Sequence, residues 1–189
     1  MGGEISLVIS NRLGAGGLSI AQNAGIETAL IDHQRYPTRE AFDQDLAGAI
    51  DSAQPDLVVL AGFMRILTPE FVARFSERLM NIHPSLLPLY PGLHTHQRAL
   101  DNGDSHAGAT VHYVTGELDG GPPVLQAKVP VNFGDDADAL AARVLAVEHQ
   151  IYPVAVNWHL CGRLTWEDGS LIKDGMPVPP SGELWESTS

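Results

Sequence analysis

Apolar residues fall into two rhythms along the chain, and the alternation between them predicts the architecture. Short apolar runs at 5–10, 27–31 and 57–61 read as strands. The last, Leu57-Val-Val-Leu-Ala61, is apolar throughout, as a strand buried on both faces of a parallel sheet is. Helical patterns separate these runs. Residues 18–24 follow Gly14-Ala-Gly-Gly17 and are closed by Gly25, while 39–53 put Phe42, Leu46, Ala49 and Ile50 on one face behind Thr38 as N-cap. Pro55 ends that helix. A short helix capped by Thr68, with Pro69 in its first turn, leads to a strand over 79–83. The Pro-rich stretch 84–91 is predicted as a loop, 94–102 as a helix, and 109–114 and 124–131 as strands around a Gly120–Pro123 turn. The longest helical pattern, 136–158, is predicted to kink at Pro153, and 164–173 is a hairpin centred on Asp168-Gly169, followed by an irregular Pro-rich tail.

Strands alternating with helices imply an α/β fold: a doubly wound, mostly parallel sheet with flanking helices, in one domain over residues 1–189. Ligands in such sheets bind beyond the carboxyl ends of the strands, here the loops after Leu60, His83 and Val114. The net charge of −12, with no Lys/Arg cluster longer than a pair, removes the electrostatic footprint of nucleic-acid or anionic-membrane binding. Cys161 is the single cysteine, so no disulfide framework exists within the chain, and a cytoplasmic setting is expected. The opening residues carry no leader pattern, and no apolar run approaches the roughly 18 residues of a membrane span.

Chemistry concentrates at Asn81-Ile-His-Pro84. On a strand, Asn81 and His83 share a face, and Pro84 leaves His83 at the carboxyl tip. An amide donor beside an imidazole suits a developing oxyanion, although locally Asn81 could equally cap a turn. Asp119, beside Gly120 and Gly121, reads locally as a turn residue and gains a catalytic role only if it lies near His83. The eight histidines lack metal-ligand spacing, and His94 and His96 diverge at a helix start, so no metal is expected. By spacing alone, Glu148 and His149 occupy a solvated helix face. The glycines at 14–17 are weak evidence for a phosphate cradle.

Asn81-Ile-His-Pro-Ser-Leu-Leu-Pro88, Leu57-Val-Val-Leu-Ala-Gly-Phe-Met-Arg-Ile-Leu67 and Glu117-Leu-Asp-Gly-Gly-Pro122 together resemble the folate-dependent formyltransferase family, and the likeness extends over nearly the whole chain. Tyr90-Pro-Gly-Leu-His-Thr-His96 is similar to the family's glycinamide ribonucleotide branch rather than to its methionyl-tRNA or hydrolase branches. The resemblance implies formyl transfer from 10-formyltetrahydrofolate to the amine of glycinamide ribonucleotide, in purine synthesis. It implies Asn81, His83 and Asp119 as the catalytic trio, with Thr110 and His112 supporting them. Met64, Arg65, Ile66 and Leu67, with Val114, Thr115, Gly116, Glu117 and Leu118, are expected around the folate, and Arg39 and Glu148 at the ribonucleotide. Expected partners are these small molecules, with no nucleic acid and no membrane, and a homodimer is left open. Two departures stand out. The family's first strand and its phosphate loop have no counterpart here, so exposed sheet edges are expected, and Leu145 replaces a residue that is commonly polar. Two alternatives therefore stay open: a formyltetrahydrofolate hydrolase, and a truncated, non-catalytic folate-binding relative.

Overall fold

The computed structural model describes residues 2–186. Its first half alternates β1 (Val8–Ser10), α1 (Gly16–Asn23), β2 (Thr28–Leu30), α2 (Arg39–Ser52), β3 (Val58–Leu60), α3 (Pro69–Arg74) and β4 (Leu79–His83). Then follow α4 (Thr95–Asp101), β5 (His106–Tyr113), β6 (Pro123–Pro130) and the long α5 (Ala137–Leu160). Short strands β7 (Leu164–Glu167), β8 (Ser170–Lys173), β9 (Met176–Pro177) and β10 (Glu183–Leu184) complete the chain.

Side chains set the helix starts. Thr38 Oγ1 accepts from the Ala41 N–H, Thr68 Oγ1 from Phe71 and Asp136 Oδ1 from Ala139, each satisfying a donor that a first helical turn leaves open. The glycine-rich segment before α1 supplies no side-chain cap, and α1 buries Ala21 alone.

The central sheet has the order β10–β6–β5–β4–β3, with four strands running one way and β5 against them. β5 is buried from Ala107 to Tyr113, between neighbours on both sides and α5 across its face. Ala109, Val111, Val124, Leu125 and Ala127 meet Leu140, Val144, Ile151 and Ala155 of that helix in the main core. Each fully buried Val, Leu or Ile side chain there contributes roughly 1.5–3 kcal/mol. α5 continues through Pro153 to Leu160, two residues beyond the predicted end.

β1 and β2 form a separate parallel pair. Among the described residues no ladder joins β1 to β3, so each presents an open edge, although Ile9 packs into the same apolar cluster as Phe42, Val58, Phe71 and Phe75. β3 corrects one expectation. Val58 and Leu60 face that cluster, but Val59 points the other way and is 43% exposed, so the strand is not buried on both faces. The tail corrects another. Residues expected to be irregular supply β9 and β10, and β10 adds in parallel to β6 with Trp185 N–H donating to Gln126 O at 2.7 Å.

Candidate active site

β4 ends where the chemistry was expected, and its register with antiparallel β5 explains which side chains meet. Asn81 lies opposite His112, and His83 opposite Thr110. Cross-strand partners have Cβ atoms about 4.5–5.5 Å apart, so two pairs of polar residues share one face.

His112 is fully buried and its hydrogen bonds define its tautomer. Its Nδ1 lies 3.0 Å from Tyr113 O, which can only accept, so Nδ1 carries the proton. Nε2 is then an acceptor, and Asn81 Nδ2 donates to it at 3.2 Å. Burial pushes the His112 pKa below the usual histidine range and keeps the ring neutral, against the opposing hydrogen bond to Tyr113 and the charge of Asp119. One amide N–H of Asn81 is thereby fixed, and the second has no hydrogen-bond partner among the described residues.

His83 is anchored through its other end. Nε2 donates to Tyr90 O at 2.9 Å, leaving Nδ1 to face Asp119 Oδ2 at 3.5 Å. Both side chains are nearly buried, 7% and 11% exposed. With Nε2–H committed to a carbonyl, Nδ1 bears a proton only in the imidazolium form, whose charge Asp119 faces. The carboxylate is held in turn: Oδ2 accepts from Gly92 N–H at 2.8 Å, while Oδ1 lies 3.9 Å from His112 Nε2.

The backbone that delivers these groups is unusual. Tyr90, Gly92 and His94 all have positive φ, and Asp119 sits at φ 51°. Non-glycine residues held there store of order 1–3 kcal/mol each, and such strain clusters at functional sites. Gly121 is obligatory, since a Cβ would lie 1.8 Å from Tyr113 O. Beneath the loop, Thr110 Oγ1 donates to Ser85 O at 2.7 Å and accepts from Leu87 N–H at 3.0 Å. Gln126 Nε2 donates both to Thr110 Oγ1, at 2.9 Å, and to Leu87 O, at 2.7 Å.

The structure thus gathers Asn81, His83, Asp119, Thr110 and His112 at one place. Met64 and Ile66, 73% and 63% exposed, and Leu118, 59% exposed, form apolar surface on the loops after β3 and β5. Thr115, Gly116 and Glu117 are exposed on the second of these loops. Arg65 and Leu67 turn inward instead: the Arg65 guanidinium lies 5.1 Å from the Phe42 ring centroid, and Leu67 and Val114 pack on the α2–α3 cluster. Arg39 is exposed beside Glu40, at 3.8 Å. Glu148 does not sit on a solvated face. It is half-buried, and that burial raises its pKa against the lowering effect of His149. The described contacts join neither Arg39 nor Glu148 to the trio. Three contributors escaped the sequence reading: the Tyr90 carbonyl, the Gly92 amide and Gln126. Gln126 alone carried a signal, as a lone amide inside the apolar run Val124–Ala127. Among the described residues, no group of three or more His, Cys, Asp or Glu is placed to hold a metal ion.

Residues 1–156 match the model of the formyl transferase family. The chain belongs to that family. It is 52% identical over 180 residues to phosphoribosylglycinamide formyltransferase of Escherichia coli K12, a match covering 95% of this chain and 85% of the relative. A 44% identical counterpart occurs in Haemophilus influenzae, covering 95% and 84%. The solved phosphoribosylglycinamide formyltransferase of Coxiella burnetii superposes with a TM-score of 0.92 at 46% identity, over 97% of this chain and 86% of that one. Formyl transfer moves a one-carbon acyl group, whose carbonyl oxygen needs donors as negative charge collects on it.

Proposed function

We propose that this chain transfers a formyl group from 10-formyltetrahydrofolate to the primary amine of glycinamide ribonucleotide, with Asn81, His83 and Asp119 as its catalytic groups. The observation that carries the reading is the convergence of an amide N–H, an imidazole nitrogen and a carboxylate around the tip of β4, the last two nearly buried. The names of the E. coli and C. burnetii relatives support the substrates.

The residues present suit both reactants. The flat faces of a pterin suit the exposed Met64, Ile66 and Leu118, and its polar edge suits the backbone from Val114 to Leu118. When bound, 10-formyltetrahydrofolate supplies the electrophilic formyl carbon. Asn81 Nδ2–H and His83 Nδ1–H donate to the formyl oxygen as negative charge collects on it, each worth roughly 3–4 kcal/mol in a dry site. Asp119 balances the imidazolium and, directly or through water, takes a proton from the attacking amine and returns one to the departing nitrogen. Arg39 and the half-buried Glu148 bind the ribonucleotide. The amine is already a nucleophile, so neither Ser85 nor Cys161 needs to form a covalent bond. Holding the two reactants together supplies much of the acceleration. The trio comes from one chain, and the single Cys161 supports a cytoplasmic setting.

The test is turnover of the purified chain and its variants, with formylated ribonucleotide and free formate measured side by side. His83→Ala and Asp119→Asn are each expected to lose about 10²–10⁴-fold in kcat while keeping the parental urea transition. Near-parental turnover in either variant refutes the assigned roles. Free formate as the main product turns the reading into a hydrolase.

A further inference from the structure

α5 carries a residue that touches two neighbouring strands at once. The Tyr152 hydroxyl lies 2.7 Å from Leu60 O and 2.9 Å from Met80 O. Leu60 and Asn81 are register partners in the parallel β3–β4 pair. One phenolic proton is therefore shared between the carbonyl that ends β3, just before the Gly62–Leu67 loop, and the β4 carbonyl that immediately precedes Asn81. Burial raises the phenol pKa well beyond its usual range, so the hydroxyl remains a donor throughout the working pH.

Its place in the helix gives this contact a second consequence. Tyr152 is four residues after Glu148, one turn along the same face. Pro153 follows immediately and has no N–H, so the carbonyl of His149 loses its intrahelical donor. The helix is weakest between Glu148 and Pro153, and a missing rung is where helices bend. On the far side of that weak point, Leu140 and Val144 are packed in the core and Arg143 clamps Asp135 at 2.6 Å, so each half of α5 has its own anchor.

We infer that Tyr152 is a positioning residue: its bridge between Leu60 O and Met80 O fixes how α5 seats on β3 and β4, and so sets the separation of Glu148 from Asn81. The inference rests on the reading of Asn81 and Glu148 as substrate-contacting groups. Displacements of about 1 Å in a site built this way cost on the order of 10²-fold in rate.

The test compares Tyr152→Phe with Tyr113→Phe. Both lose only a phenolic oxygen, and the Tyr113 hydroxyl bonds the same helix nearer its carboxyl end, through His159 at 2.7 Å, rather than the carbonyls of Leu60 and Met80. Both variants are expected to fold and to lose a similar few degrees in Tm. Tyr152→Phe alone is expected to raise KM for the ribonucleotide and to lower kcat/KM by about 10–100-fold, and amides of residues 145–150 are expected to exchange faster with deuterium. Tyr113→Phe stays within about two-fold of the parent. The inference is overturned if Tyr152→Phe matches Tyr113→Phe in KM, kcat and exchange. The exchange readout needs no activity, so it judges Tyr152 even if His83→Ala turns over normally and the catalytic reading falls.

Discussion

A neutral imidazole is the residue on which the arrangement turns. His112 accepts from Asn81 only while Nε2 is unprotonated; once charged, it presents a donor to a donor and the amide loses its orientation. Its folded pKa lies below the ordinary histidine value of about 6.5, so the unfolded chain binds the proton more tightly. Stability from this group is complete at pH above 6.5 and drains away as pH falls through the folded pKa. Urea denaturation at pH 7.5 and 5.5 checks this: His112→Gln, whose amide oxygen still accepts, is expected to lose less stability between the two pH values than the parent. Equal losses would show that His112 does not titrate in this window. At this scale, Asn81 and His83 were legible because period-two alternation and a following proline fix both face and position. The place of Asp119 beside His83 was legible only through family resemblance, since contact between distant segments leaves no local trace in Asp-Gly-Gly. The Tyr90 carbonyl and Gly92 amide left none at all: any residue has a backbone, and what makes these two special is a left-handed φ.

Among the elements, β5 does most to assemble the site. Its register sets His112 beside Asn81 and Thr110 beside His83, and Thr110 holds the Ser85–Leu87 loop from below. Thr110→Val keeps the shape and leaves the buried Leu87 N–H without its acceptor, which costs about 1–3 kcal/mol. Thr110→Ser, which retains the oxygen, is expected to recover most of that in the same urea titration. A Val variant as stable as the parent means that the loop finds another partner. Helix starts were legible because Thr38, Thr68 and Asp136 bind their own local amides, a contact that spans three residues. The tail was not. β10 exists because β6 offers it an edge, and Gly182 sits where a Cβ would meet Leu125 N at 3.0 Å, so the pairing is a tertiary event hidden from local pattern. Val59 misled for the same reason: an apolar run reveals appetite for burial, not whether a neighbour is there to cover it.

At the scale of the whole molecule, two regions of unequal cohesion share one chain. The main core ties β5 and β6 to α5, whereas α1 buries Ala21 alone and β1 pairs only with β2 among the described residues. Local opening follows contact density. Native-state hydrogen exchange is expected to release the amides of β1 and β2 at a lower free energy than those of β5 and β6, and a single common value would show one cooperative unit. The doubly wound architecture was legible from the order of strand and helix patterns, and the open edges were expected from the departure from the family. The net charge was legible too, and it meets those edges in a practical way. An unpaired strand is a template on which another chain can nucleate. What keeps neighbouring molecules apart is mutual repulsion of bodies carrying −12, felt over about 30 Å at 0.01 M salt but only about 3 Å at 1 M. Concentrated stocks should therefore stay clear in dilute buffer and turn turbid on salting, as molecules stitch together along their exposed β1 and β3 margins.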